Sequence, residues 1–210
     1  MQLIYFIRYL LIVTIFQSNI CNIHSINIEN KNKKSEITTG DIIVGANQIS
    51  RYIDYIDKKN IGIVANHTSV IFKEDNSYTH LVDSLLSLNI NISKIFTPEH
   101  GYKGENYNGE NVTDKVDQNT GLEIISLHGK DREYGKISDN DLIDIDLMIF
   151  DIQDVGTRFY THISTLHYVM EACARNNIPL LVFDRPNPNG NYIDGPVLEN
   201  ENKSFVGMHP

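Results

Sequence analysis

The stretch that decides the fold is Ile145-Asp146-Leu147-Met148-Ile149-Phe150, which runs directly into Asp151-Ile152-Gln153-Asp154-Val155-Gly156. A short, nearly continuous apolar run that is closed by polar residues and glycine is typical of a buried strand followed by a loop. Strands that are buried on both faces belong to parallel sheets, whereas half-exposed strands alternate apolar and polar residues. The segment therefore predicts a buried parallel strand whose carboxyl end carries a polar loop.

The same pattern recurs on both sides of this stretch. Further apolar runs predict strands at residues 61–65, 92–96, 122–127 and 180–183. Helical spacing predicts helices at about 81–88 and 161–176, and the second should bury Ile163, Leu166, Met170, Cys173 and Ala174. Strands that alternate with helices indicate the α/β class. We therefore predict a Rossmann-like parallel sheet with helices on both faces.

Polar and ionisable residues follow each predicted strand. In open α/β sheets ligands bind outside the carboxyl ends of the strands, so these side chains should line one rim. They are Asn66 and His67, Glu99 and His100, His128, Asp151 and Asp154, and Asp184 and Arg185. Carboxylates and histidines suit two chemistries, which are glycoside hydrolysis and metal-assisted hydrolysis.

Several classes of function are disfavoured. The chain has no glycine-rich dinucleotide fingerprint, no P-loop and no nucleophile elbow, so we expect no nucleotide cofactor. A formal net charge of −9 would repel phosphate backbones, which makes nucleic acid an unfavourable partner. Histidines and cysteines lack the spacing of a helical or paired metal motif, so we expect no metal.

The amino-terminal segment has the pattern of a targeting signal. An apolar run with Arg8 near its start is too short to span a bilayer, so residues 1–24 are predicted to be a signal peptide and residues 25–40 a linker. The folded domain should occupy residues 41–210. We expect export beyond the cytoplasmic membrane without a stable membrane span, and lipid attachment at Cys21 is the less favoured alternative.

Five strings carry a family resemblance. They are Gly62-Ile63-Val64-Ala65-Asn66-His67-Thr68, Thr97-Pro98-Glu99-His100-Gly101-Tyr102-Lys103-Gly104, Asp151-Ile152-Gln153-Asp154-Val155-Gly156-Thr157-Arg158-Phe159-Tyr160-Thr161, Asp184-Arg185-Pro186-Asn187-Pro188 and Ser204-Phe205-Val206-Gly207. In this order they resemble the bacterial exo-β-N-acetylmuramidases of the NamZ type. The resemblance implies a glycosidase that removes terminal N-acetylmuramic acid from peptidoglycan fragments. It also implies a second, smaller domain that is largely missing here, so we expect a truncated family member whose own activity is in question.

The resemblance and the rim together suggest roles for individual residues. Glu99 is the expected catalytic carboxyl and general acid, with His100 and Asp154 to orient it or to activate water. Asn66, Gln153, Arg158, Tyr160 and Arg185 are the expected substrate-binding residues.

Three points remain open at this stage. An arginine should meet the lactyl carboxylate of the sugar, but Arg158 and Arg185 could instead pair with Asp154 and Asp184, so at most one is expected to touch substrate. In addition, the family's usual tyrosines are replaced by His128 and His162. A metal-dependent hydrolase and a non-catalytic cell-wall saccharide-binding protein are the alternative functions.

Overall fold

A six-stranded sheet organises the described residues, 42–104, 113–128 and 135–209, of this computed structural model. The strands in chain order are β1 (Ile61–Ala65), β2 (Val70–Phe72), β3 (Tyr78–His80), β4 (Ile92–Thr97), β5 (Lys115–Val116), β6 (Glu123–Ser126), β7 (Leu147–Asp151) and β8 (Leu180–Val182). The spatial order of the large sheet is β5-β6-β4-β1-β7-β8, and β2 and β3 form a separate hairpin. All five predicted strands are therefore present.

The sheet is parallel apart from one edge. Strand β1 lies at the centre and pairs in parallel with β4 and with β7, and the outer pairs β4–β6 and β7–β8 are parallel as well. Only β5 runs antiparallel, against β6. The predicted α/β class and parallel sheet are confirmed, and the short β5 is an addition that the sequence analysis did not include.

Helices cover both faces of the sheet. Helices α1 (Ile49–Ile56) and α2 (Leu81–Ser87) pack into one apolar core, and α3 (His162–Asn176) packs into a second. Strand β1 contributes to both, because Ile63 and Ala65 belong to the first core while Val64 belongs to the second. This alternation follows from the strand period of two, which sends successive side chains to opposite faces. Three short 3₁₀ turns, Gly45–Asn47, Asp139–Leu142 and Asn200–Asn202, complete the described elements.

The buried face of α3 differs from the predicted one. Ile163 is 49% exposed and Ala174 is exposed as well, so their places on the predicted core face are wrong. The buried residues of the helix are Ser164, Thr165, Val169, Ala172 and Cys173. Small side chains let a helix approach the sheet closely, and the Thr165 hydroxyl is satisfied because it donates to Thr161 O at 3.2 Å. Hydrophobicity alone therefore identified the helix but misplaced the face that it turns inward.

The predicted amino-terminal features lie outside the described residues. These are the signal peptide at 1–24, which contains Cys21, and the linker at 25–40, and they stay predictions. Within the described ranges, no helix combines the length and apolar character that crossing a membrane requires.

Candidate functional site

The loops of the rim emerge side by side because the strands end in register. Thr97 of β4 pairs with Ser126 of β6, and Ala65 of β1 pairs with Asp151 of β7. The loops after these four strands therefore start at nearly the same level of the sheet. We call this edge the rim.

Glu99 lies on a tight turn after β4. The turn is closed by Gly101 N, which donates to Pro98 O at 3.2 Å, and His100 adopts a left-handed conformation with φ of +73°. The Glu99 side chain is 24% exposed, and its Oε1 lies 3.9 Å from Nε2 of His128, which follows β6. The structure thus brings a half-buried carboxyl from one strand end next to an imidazole from the neighbouring one.

Asn66 organises the loop after β1. Its Oδ1 accepts hydrogen bonds from Thr68 N at 2.8 Å and from Thr68 Oγ1 at 2.6 Å. Thr68 Oγ1 in turn accepts from Gln153 N at 3.0 Å, which ties this loop to the one after β7. The Asn66 side-chain oxygen therefore has a structural task, and the expected role of Asn66 in sugar binding stays a prediction.

His80, the last residue of β3, links the loop after β1 to the loop after β4. Its Nε2 lies 2.9 Å from Asn66 O, while its Nδ1 lies 3.1 Å from the Tyr102 hydroxyl and 3.3 Å from Val82 N. A carbonyl can only accept and a backbone N–H can only donate, so the ring is neutral with its proton on Nε2. Burial lowers the pKa of His80. No pattern in the sequence indicated a role for His80, because its partners come from loops that are distant in sequence.

Replacing His80 by glutamine is expected to reduce the pH dependence of stability below neutrality. The unfolded chain binds a proton on His80 below about pH 6.5, whereas the folded protein does so only at lower pH, so unfolding becomes more favourable as the pH falls. Between pH 7.5 and 5.5, the free energy of unfolding in urea should fall less steeply in the variant than in the wild type, by about 1 kcal/mol per pH unit. Tyr102→Phe is the control, because it removes one contact but should leave the slope unchanged. An unaltered slope in His80→Gln would contradict the assignment.

Asp151 and Arg185 form a buried ion pair. Arg185 Nε donates to Asp151 Oδ1 at 2.7 Å and Nη2 donates to Oδ2 at 2.9 Å, and Nη2 also reaches Val70 O at 2.8 Å. The two side chains are 2% and 0% exposed. Burial raises the pKa of Asp151, and the Arg185 guanidinium opposes that shift. The expected partner Asp184 is therefore wrong, and the ion pair gives Arg185 a structural task, whereas its expected contact with substrate stays untested.

The loop after β7 is held by the loop after β8. Gln153 Nε2 donates to Pro186 O at 2.9 Å and to Asp154 O at 2.6 Å. Asn189 Nδ2 donates to Val155 O at 2.7 Å. Asp154 Oδ1 accepts from Gly156 N at 2.7 Å, while its buried Oδ2 has no hydrogen-bond partner among the described residues. The Gln153 amide nitrogen therefore serves the loop, and one Asp154 oxygen remains for another partner.

His162 lies among the charged groups of the rim. It is the first residue of α3, and burial lowers its pKa, while the carboxylates of Asp154 and Glu99 oppose that shift. His100 and His67 also act on it electrostatically. Groups from the loops after β1, β4 and β7 thus all influence the pKa of this imidazole. The sequence offered two signals for His162, which are its replacement of a usual tyrosine of the family and its position at the start of a helix after a rim loop.

Arg158 and Tyr160 lie on the exposed part of the same loop. Arg158 Nη2 donates to Pro196 O at 2.9 Å. The ring of Tyr160 is 44% exposed and lies edge-on to the His162 ring, with the centroids 6.3 Å apart. Both predicted binding residues are therefore accessible, and Tyr160 lies beside the group of charged side chains described above.

A family model agrees with this arrangement. The model described as exo-beta-N-acetylmuramidase NamZ, N-terminal, matches residues 61–210, which contain all the rim loops. The chain belongs to the NamZ family. The family resemblance predicted from the five sequence strings is therefore confirmed.

Individual NamZ relatives match a large share of the chain. The peptidoglycan beta-N-acetylmuramidase NamZ of Bacillus subtilis (strain 168) is 41% identical over 180 residues, which cover 85% of this chain and 41% of the relative. Crystal structures of two DUF1343 family proteins from Bacteroides fragilis each match with a TM-score of 0.66, at 40% and 34% identity. They cover 80% and 79% of this chain, and 41% and 40% of their own. The chain therefore spans about two fifths of the length of these relatives.

Metal-assisted hydrolysis was the other candidate chemistry for the rim of this NamZ-family chain. In the ranges that the structure describes, no three histidine, cysteine, aspartate or glutamate side chains form a group that could hold a metal ion.

Cys173, which is 2% exposed in the second core, has its pKa raised to about 12 by burial. Its predicted role as a small core residue agrees with this packing.

Replacing Gly156 by alanine in this NamZ-family chain is expected to destabilise the loop that carries Asp154. Gly156 has φ of +69°, and an added Cβ would lie 2.7 Å from Asn187 Cγ. The left-handed conformation costs an alanine about 1–2 kcal/mol, and the overlap adds to that. Gly121→Ala is a matched control, because Gly121 has φ of +74° but no atom within 4 Å of the added Cβ. Urea unfolding should show a larger loss for Gly156→Ala, and equal losses would contradict the predicted overlap.

Proposed function

We propose that this chain carries the catalytic carboxyl of an exo-acting glycosidase. The enzyme releases terminal N-acetylmuramic acid from peptidoglycan fragments. The observation that carries the proposal is the position of Glu99, a half-buried carboxyl on a tight turn at the rim, with His128 at 3.9 Å. The name of the Bacillus subtilis relative, which is 41% identical over most of this chain, supports the substrate class.

The proposed chemistry needs one proton donor and one water molecule. Glu99 protonates the glycosidic oxygen as the bond between that oxygen and the anomeric carbon breaks, and water supplies the hydroxyl group of the released sugar. His100 follows Glu99 on the same turn and is the proposed group that orients it or accepts a proton from water.

The proposal is tested by incubating the chain with a chromogenic N-acetylmuramic acid glycoside and with muropeptides. The Bacillus subtilis relative runs in parallel as the positive control. We expect release of the muramic acid, little release from the corresponding N-acetylglucosamine glycoside, and no loss of rate with a chelator. Loss of rate with a chelator that is restored by one divalent ion would favour the metal-dependent alternative. Binding without release by this chain would favour a non-catalytic saccharide-binding protein.

Arg158 is the proposed reader of the lactyl carboxylate. Arg185 is paired with Asp151, whereas Arg158 is exposed on the rim loop and its described hydrogen bond, to Pro196 O, goes to a neutral acceptor. A charged hydrogen bond contributes about 1.5–3 kcal/mol, so Arg158→Met should reduce the preference for muramic acid over glucosamine glycosides roughly tenfold or more. Arg175→Met, on the exposed side of α3, is the control. An unchanged preference in Arg158→Met would show that the carboxylate is read elsewhere.

We further propose that the chain is exported, since its substrate would lie in the cell wall. The apolar run with Arg8 ahead of residues 25–40 supports this. Recovery of the intact, unprocessed chain from the cytosolic fraction would contradict it, whereas an amino terminus shortened near residue 24 outside the cytosol is the expected result.

A further inference from the structure

One short stretch contains three buried polar atoms that lack hydrogen-bond partners within the described part of the chain. They are Asp154 Oδ2, Thr157 Oγ1 and His162 Nδ1, and none has a hydrogen-bond partner among the described residues. Most buried polar atoms in folded proteins are hydrogen-bonded, and leaving one unsatisfied costs the folded state about 1–3 kcal/mol. Three such atoms within nine residues therefore mark a place where the protein keeps hydrogen-bonding capacity unused.

The stretch is held by contacts with the loop after β8. Asn189 and Gln153 anchor it to the loop after β8, and Gly156 packs against Asn187. Tyr160 N donates to Thr157 O at 3.0 Å, which turns the chain into the start of α3. Burial lowers the pKa of His162, and the Asp154 carboxylate at the other end of the stretch opposes that shift. The unused atoms are thus held in place rather than left in a loosely packed loop.

The chemistry of the three atoms selects the groups that could satisfy them. An ionised carboxylate oxygen only accepts hydrogen bonds, a hydroxyl both donates and accepts, and one nitrogen of a neutral imidazole accepts while the other donates. A ligand must therefore donate to Asp154, which a hydroxyl or an amide N–H can do and a carboxylate cannot. Saccharides with an acetamido group carry both kinds of donor.

We propose that Asp154, Thr157 and His162 form a subsite that binds the neutral hydroxyl and amide groups of the saccharide. The inference rests on the proposed function and deepens it, because it divides recognition of the sugar between two places. The subsite reads the neutral groups that N-acetylmuramic acid shares with N-acetylglucosamine, and Arg158 reads the carboxylate that distinguishes them. Asp154 then acts as a binding group and not as the partner of Glu99.

The test measures binding and not catalysis. The full chain is titrated with N-acetylmuramic acid and with N-acetylglucosamine by calorimetry, for the wild type and for Thr157→Val and His162→Phe. Thr157→Val removes one hydrogen-bonding atom and keeps the shape of the side chain, whereas His162→Phe removes both ring nitrogens and keeps an aromatic ring. Both variants should weaken the binding of both sugars about 3- to 10-fold while leaving the ratio of the two affinities unchanged. His162→Asn, whose side-chain oxygen can take the place of Nδ1, should restore part of the affinity.

Thr165→Val is the matched control. Thr165 is also buried, but its hydroxyl already donates to Thr161 O, so its loss should not alter sugar binding. A second readout is the nitrogen resonance of the His162 ring, which should shift on addition of N-acetylglucosamine in the wild type. A purely structural role for His162 would leave that resonance unchanged.

The outcomes separate this inference from the proposed function. Wild-type affinities in both variants, or no binding of either sugar by the wild-type chain, would overturn the subsite whether or not muramic acid is released. Weaker binding of both sugars by the two variants, together with no release of muramic acid by the wild-type chain, would support the subsite and count against the glycosidase. A change in the ratio of affinities would also overturn the subsite, because these residues would then read the carboxylate.

Discussion

Replacement of Glu99 by glutamine is expected to slow the release of N-acetylmuramic acid from a muropeptide by about 10²- to 10⁴-fold, the range typical of a lost general acid. Glutamine has nearly the same shape and keeps the half-buried position beside His128, but it has no proton to deliver to the leaving oxygen. The loss should depend on the leaving group. A nitrophenyl leaving group needs little protonation, so the rate with that substrate should fall much less.

The comparison of the two substrates is the decisive measurement. Initial rates are recorded for Glu99→Gln and for Glu123→Gln, which removes an exposed carboxyl from β6 and should leave both rates unchanged. Sugar binding by calorimetry checks that the variant is folded. Equal losses on both substrates would indicate a role for Glu99 other than protonation, and full activity of Glu99→Gln on the muropeptide would remove Glu99 from the mechanism.

Loss of one partner of the Asp151–Arg185 pair is expected to produce the largest change in stability. Arg185→Met leaves a buried carboxylate facing an apolar side chain, and breaking a buried ion pair typically costs 3–5 kcal/mol. The same substitution removes the bond to Val70 O, so the link between β7, the segment after β8 and the hairpin β2–β3 is also lost. The free energy of unfolding in urea should fall by about this amount.

Two further variants test the cause of the loss. Asp151→Leu combined with Arg185→Met removes both charges and should recover part of the stability, because no unpaired buried charge remains. Arg175→Met breaks an exposed pair with Asp139, where the side chains are 53% and 64% exposed, and should cost less than about 1 kcal/mol. A loss in Arg185→Met no larger than in Arg175→Met would contradict a stabilising role for the buried pair.

The five parallel strands of the large sheet were predictable because they lie in apolar runs that end in polar residues. Strand β7 and its loop, for example, appear where residues 145–156 predicted them. The hairpin β2–β3 was not predicted, since each strand has three residues and exposes an aromatic side chain, Phe72 or Tyr78. Such short, half-exposed strands depend on packing against their surroundings more than on their own sequence.

The site was predictable as a set of loops but not as a set of contacts. Strand ends placed Glu99, His100 and Asp154 on one rim, because parallel strands carry their loops to the same edge. The partner of Arg185 could not be predicted, since it depends on the sheet face to which Asp151 points. The burial of Thr157 and His162 depends on how the loops after β7 and β8 pack against each other, and that packing involves residues far apart in the chain.

The central position of β1 also bears on how the protein is made. The residues just before β1 and β7, Asn60 and Asp146, are hydrogen-bonded to each other although they are 86 residues apart in the chain. A ribosome that adds about 5–20 residues per second needs roughly 4–17 s to cover that distance. Throughout this interval the edge of the apolar strand Ile61–Ala65 that pairs with β7 has no partner. Nascent chains that stall in this window should be the form most prone to aggregate and most dependent on chaperones.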